Sequence, residues 1–141
     1  EAHQMAHLIE MIEGPSTAAE IVAQVREFAK GYKRIMICMD SNHTHDHVLA
    51  ELEAYAPLTS VGSYCCVFDT VVEDLPPEIS AGKPWAKGNS PKTAVWEYMR
   101  RLKDGSSKDL NGQPMTFVVD KQVENKLIMT NAPDGYLQRI A

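Results

Sequence analysis

The stretch RIMICMDSNHTHDHVLAELEAYAPLTSVGSYCCVFD, residues 34–69, decides the fold. It holds two apolar runs, 34–39 and 63–69, and each closes on an aspartate, Asp40 and Asp69. Between them Val48, Leu49, Leu52, Tyr55 and Ala56 recur at helical spacing until Pro57 stops the pattern. An unbroken apolar run marks a strand buried on both faces, and parallel sheets hold such strands. Strand, helix and strand joined by short links predict a right-handed crossover unit.

Working outward, HLIEMIEG (7–14) reads as a short strand ending at a glycine turn. In STAAEIVAQVREFAKG, Thr17 and Glu20 form a capping box for a helix with Ile21, Val22, Val25, Phe28 and Ala29 on one face, closed by Gly31. Residues 74–91 turn to proline, glycine and polar side chains, a long loop of the kind that tends to be functional. Ser90 and Pro91 start a third helix carrying Ala94, Val95, Tyr98, Met99 and Leu102, with Trp96 off its stripe. MTFVVDKQVENKLIMTN (115–131) offers two short strands that could pair. The expected fold is α/β, with three layers and a mostly parallel sheet ending in an antiparallel strand pair.

The 141 residues form one domain by length, 44% hydrophobic, with a net charge of −5 and no basic block, which argues against nucleic acid. No apolar run approaches membrane-spanning length, and the start lacks a secretory pattern, so a cytoplasmic protein is expected. Cys38, Cys65 and Cys66 sit in apolar runs and read as buried thiols. The chain starts at Glu1 and not at Met, which suggests a cut point.

Three histidines in the DSNHTHDH segment invite a zinc reading, but the spacing fits neither HExxH nor a Cys/His pair motif. No His-x-Asp pair exists for an iron facial triad either. His45 and His47 read as solvated residues of a helix start, with Thr44 as its cap and Asp46 at its positive end. Asp40 and Asp69 admit two readings. They cap the helices that follow, or, on neighbouring strands about 4.8 Å apart, they share a divalent cation at the rim where α/β sheets bind ligands.

MDSNHTHDHVLAELEAYAPL, GSYCCVFDT, KPWAKGNSPKTAVWEY and LIMTNAPDGYLQRI together resemble the cephalosporin hydroxylase / rhamnosyl O-methyltransferase family, over nearly the whole chain and in the family's order. The resemblance implies a Rossmann-like fold, S-adenosylmethionine as methyl donor and Mg²⁺ held by Asp40 and Asp69. Phe68 stands where the family usually has a second acidic residue. The topology is also similar to catechol O-methyltransferase, in which a lysine three residues beyond the metal-binding aspartate takes the substrate proton. That count leads to His43, which is either this base or a plain loop histidine. Ser16, in a turn resembling the one after the family's third strand, and Ser41 are the implied cofactor contacts, with a helix-start role as the alternative for Ser16. Trp85 suits a lid or an anchor of its loop.

The chain carries no GxGxxG, and residues 7–12 resemble the family's third strand, so the expectation is a single partial domain lacking the glycine-rich cofactor-binding strands. A strand edge central in the whole enzyme would then be bare and would recruit a partner, making a homo-oligomer. Two functions follow: a Mg²⁺-dependent O-methyltransferase acting on a hydroxyl of a small molecule or glycan, or a noncatalytic module that self-associates or binds a partner.

Overall fold

The structure is a computed structural model and describes residues 3–141. Its elements run α1 (Ala19–Ala29), β1 (Ile37–Met39), α2 (His45–Tyr55), β2 (Tyr64–Val67), α3 (Pro91–Asp104), β3 (Phe117–Val119), α4 (Lys121–Glu124) and β4 (Tyr136–Arg139). The four strands make one sheet in the order β1-β2-β4-β3. β1 and β2 are parallel, with Ile37 opposite Cys65 and Met39 opposite Val67, so the crossover through α2 forms as its pattern requires. The other two pairings are antiparallel, Cys65 opposite Leu137 and Val118 opposite Gln138. Among the described residues no helix is long and apolar enough to cross a membrane.

The core lies between α2, α3 and one face of the sheet. Leu52, Tyr98 and Leu137 are fully buried there, with Val48, Val95, Cys65, Val67 and Phe117 around them. Burying each large apolar side chain contributes roughly 1.5–3 kcal/mol. α3 starts on a capping box in which Ser90 accepts from the Thr93 N–H while the Thr93 side chain accepts from the Ser90 N–H. Gly135 admits close packing at the entry to β4: a Cβ there would lie 2.2 Å from the Val67 carbonyl oxygen, which leaves room only for hydrogen.

Several expectations are corrected. Residues 7–12 form no strand; Ala6–Leu8 make one 3-10 turn and the segment is exposed as far as Met11. A strand needs a neighbour to satisfy its N–H and C=O groups, and this segment has none among the described residues. Thr17 does not cap α1: Ala18 is the N-cap, its N–H bonded to the Pro15 carbonyl in a turn that leaves Thr17 one residue upstream. KLIMT is not a strand; β3 pairs instead with residues 136–139, and Leu127, Ile128 and Met129 are exposed. Helices cover one sheet face only. Every strand residue in the core cluster points to that face, whereas Met36, Cys38 and Val118, on the opposite face, are exposed. Cys38 is therefore not a buried thiol, although Cys65 and Cys66 are, and β1 is not buried on both faces. With no second helix layer among the described residues, the run 34–39 is buried on one side at β1, whereas β2 is buried on both, with Cys66 at 8% and Val67 at 1% exposure.

A carboxylate and histidine cluster at the sheet rim

Parallel pairing of β1 and β2 brings their carboxyl ends side by side, and the residues that follow meet there. The Phe68 N–H bonds to the Met39 carbonyl at 3.0 Å, carrying the ladder one step past β2. Asp69 then turns with φ 54°, a left-handed conformation that an aspartate tolerates better than most residues. This turn aims its carboxylate back toward the end of β1. Asp40, next after β1, and His43, in the link to α2, complete the group. His43 Nε2 lies 3.1 Å from Asp69 Oδ2 and 3.5 Å from Asp40 Oδ1. One ligand atom from each of Asp40, His43 and Asp69 falls within 4.8 Å of the others. The Asn131 amide donates to Asp69 Oδ1 at 3.1 Å and fixes the carboxylate's other oxygen.

A loop closes over the cluster. The Trp85 ring lies 5.8 Å from the His43 ring, tilted by 53°. The loop is fastened from beneath: Glu73 Oε2 accepts from Ser90 Oγ at 2.7 Å and from the Gly88 N–H at 2.9 Å. Lys92, 5% exposed, pairs with Asp74 at 2.5 Å and Asp134 at 3.2 Å. Burial alone would lower the Lys92 pKa, but the two carboxylates outweigh it and raise it. Burial alone would raise the Asp134 pKa, but Lys121 and Lys92 hold the carboxyl below its usual range. Asn89 Oδ1 accepts the His45 N–H at 2.9 Å, so the loop supplies the cap of α2 that the Thr44 side chain does not.

His45 and His47 are not solvated. Both are half-buried, His45 Nδ1 lying 2.8 Å from Thr93 Oγ1 and His47 Nε2 3.1 Å from Ser16 Oγ and 3.2 Å from Ser41 Oγ. Their ring nitrogens find partners because α3 and the 12–16 segment pack against the start of α2. Ser16 and Ser41 thus meet on one histidine, beside the Asp40 cluster and apart from it. Glu51 joins them through Ser41, and helical spacing from His47 is the signal that could have marked it. Asn131 and Asn89 carry no such signal, since both act from loops.

Asp40, His43 and Asp69 thus form a cluster at the carboxyl rim of a crossover sheet, beside the Trp85 loop, with ligand atoms close enough together to hold one metal ion. Residues 1–140 match the family described as Rhamnosyl O-methyltransferase/CmcI, and the chain belongs to that family. It is 30% identical over 129 residues to the Rhamnosyl O-methyltransferase of Mycobacterium tuberculosis (strain ATCC 25618 / H37Rv), covering 91% of this chain and 46% of the relative. The Mycobacterium leprae (strain TN) protein of the same name is 31% identical over 131 residues, covering 91% of this chain and 49% of the relative. The chain therefore spans about half the length of these curated relatives. No solved structure gives a significant match.

Proposed function

We propose that this chain carries the metal- and acceptor-binding part of an S-adenosylmethionine-dependent O-methyltransferase acting on a hydroxyl of a small molecule or glycan. The observation that carries this reading is the convergence of Asp40, His43 and Asp69 within 4.8 Å at the sheet rim, in a chain of this family. The donor set fits Mg²⁺: two carboxylates offer hard oxygen donors, and a half-open rim leaves positions for water and substrate. Phe68 removes the acidic residue usual in the family, and the imidazole of His43 is the third polar group beside the pair.

A bound Mg²⁺ supplies charge that lowers the pKa of an alcohol and holds it as the oxyanion. Asp40 and Asp69 would hold the cation, and the Asn131 amide, bonded to Asp69 Oδ1, fixes the orientation of that carboxylate. His43, beside both carboxylates, would accept the proton of the acceptor hydroxyl. Trp85 excludes water from that side. Ser16 and Ser41, which meet on His47, would contact the methyl donor. The free thiols support a cytoplasmic setting, and the open edge of β1 supports association with a second copy.

The second reading, a noncatalytic module, is favoured by the exposed face behind Met36 and Cys38. Calorimetry of the 141-residue chain with S-adenosylmethionine separates the two. Binding heat that grows when Mg²⁺ is present supports the enzyme. Absence of heat with and without Mg²⁺ leaves the module.

A further inference from the structure

Strand pairing sets two cysteines side by side. Cys38 of β1 stands directly opposite Cys66 of β2 in the parallel register. Paired strands lie about 4.8 Å apart, and a disulfide joins Cα atoms about 4.4–6.8 Å apart, so the two positions are within bridging distance. Partners in register leave the sheet on the same face. Here it is the face away from α2 and α3, because Met39 and Cys65, their neighbours along each strand, belong to the core. The third cysteine, Cys65, points the other way at 0% exposure. The paired thiols are not equivalent: Cys38 is exposed and Cys66 is buried. Burial, and after it the adjoining Cys38 thiol, push the Cys66 thiol up to about 11. A reagent from solution therefore meets Cys38 first and reaches Cys66 only through it.

We propose that Cys38 and Cys66 are an oxidisable dithiol that closes to a disulfide by exchange with a small-molecule disulfide of the glutathione type. Cys38 gives its proton to water and its sulfur attacks one sulfur of the small disulfide, whose S–S bond breaks as the first thiolate leaves and is protonated. Cys66 then gives its proton to water and attacks the Cys38 sulfur, and the mixed S–S bond breaks as the second thiolate leaves and is protonated. The two cysteines lose two electrons together, and one small disulfide is reduced to two thiols. Proximity offsets the small thiolate fraction of Cys66 in the second step. In a reducing compartment a bond of this kind is transient and senses oxidant. It would tie β1 to β2 two residues before Asp40 and three before Asp69, yet it depends on no metal at that rim.

The test incubates the reduced 141-residue chain with mixtures of oxidised and reduced glutathione, blocks the remaining thiols with iodoacetamide and maps the peptides by mass spectrometry. The expected product is one bond within the chain, between Cys38 and Cys66, read as the loss of two hydrogens and reopened by excess reduced glutathione. Cys66→Ser is expected to stop with one glutathione on Cys38. Cys38→Ser is expected to take up none and to form no bond. A lasting glutathione adduct on Cys38 of the parent, a bond to Cys65, bonds only between chains, or thiols left unmodified by oxidised glutathione would overturn the proposal. Uptake of glutathione at Cys66 in a folded Cys38→Ser, as fast as at Cys38 in Cys66→Ser, would overturn it as well. If the serine variants do not fold, the peptide map of the parent decides, since it needs no substitution.

Discussion

The two faces of the sheet are built from the same four strands and the same kinds of side chain, yet they do opposite things. Under α2 and α3, Cys65 and Leu137 are at 0% exposure; on the other face Met36 is 60% exposed and Cys38 open to solvent. Residue type therefore does not decide burial here. A strand alternates its side chains between faces, and a face becomes core only where another layer lies on it. The rim of the candidate site belongs to the packed side's frame: Asp40 and Asp69 are brought together by the β1–β2 pairing that α2 holds in place.

The largest expected effect comes from the packed side. Leu52→Ala should cost about 2–5 kcal/mol in chemical denaturation, as removal of a fully buried leucine does. A loss below about 1 kcal/mol would mean that the helix-covered face is loosely packed. Lys92→Ala should cost about 0.5–1.5 kcal/mol, because it leaves Asp134 to Lys121 alone and frees Asp74 at the root of the Trp85 loop. The pH dependence of this group has a definite sign. Asp134 ionises more readily folded than unfolded, so its contribution is present above the ordinary carboxyl value of 3.8 and fades as pH falls through the depressed folded value. Lys92 is raised, so its contribution is present below 10.5 and fades as pH climbs through the raised folded value. Stability curves of Lys92→Ala and the parent should therefore converge at both extremes. Met36→Ala on the open face should change stability by no more than about 0.5 kcal/mol. A larger loss would show that something covers Met36 in solution, a second copy included, and dilution would then weaken the effect.

Much of the packed half was legible in the residues. The stripe from Val48 to Ala56, the Ser90–Pro91 start and the apolar runs ending in Asp40 and Asp69 each carry a local signal that the tertiary structure reinforces. The open half misled for a physical reason. Apolar content in 34–39 and 7–12 speaks of burial, while the geometry of a short segment depends on the neighbours it has. LIMT failed similarly: Asp134, at φ 67°, and Gly135 redirect the chain so that 136–139 enter between β2 and β3. At the site, the Asp40 and Asp69 pairing was readable from strand ends. The contacts of His43, Asn131, Asn89 and Glu51 depend on loops and helix starts meeting across the fold, which spacing alone does not encode.

The proposed binding of one cation by Asp40 and Asp69, with His43 beside it, is tested most directly by titrating the chain with Mg²⁺ while following the His43 imidazole signals by NMR, in the parent and in the Asp40→Asn plus Asp69→Asn variant. The expected result is a saturable shift of His43 in the parent and none in the variant. A His43 signal that stays still as Mg²⁺ rises, or Mg²⁺ binding equally strong in both proteins, would contradict a shared metal centre at this rim.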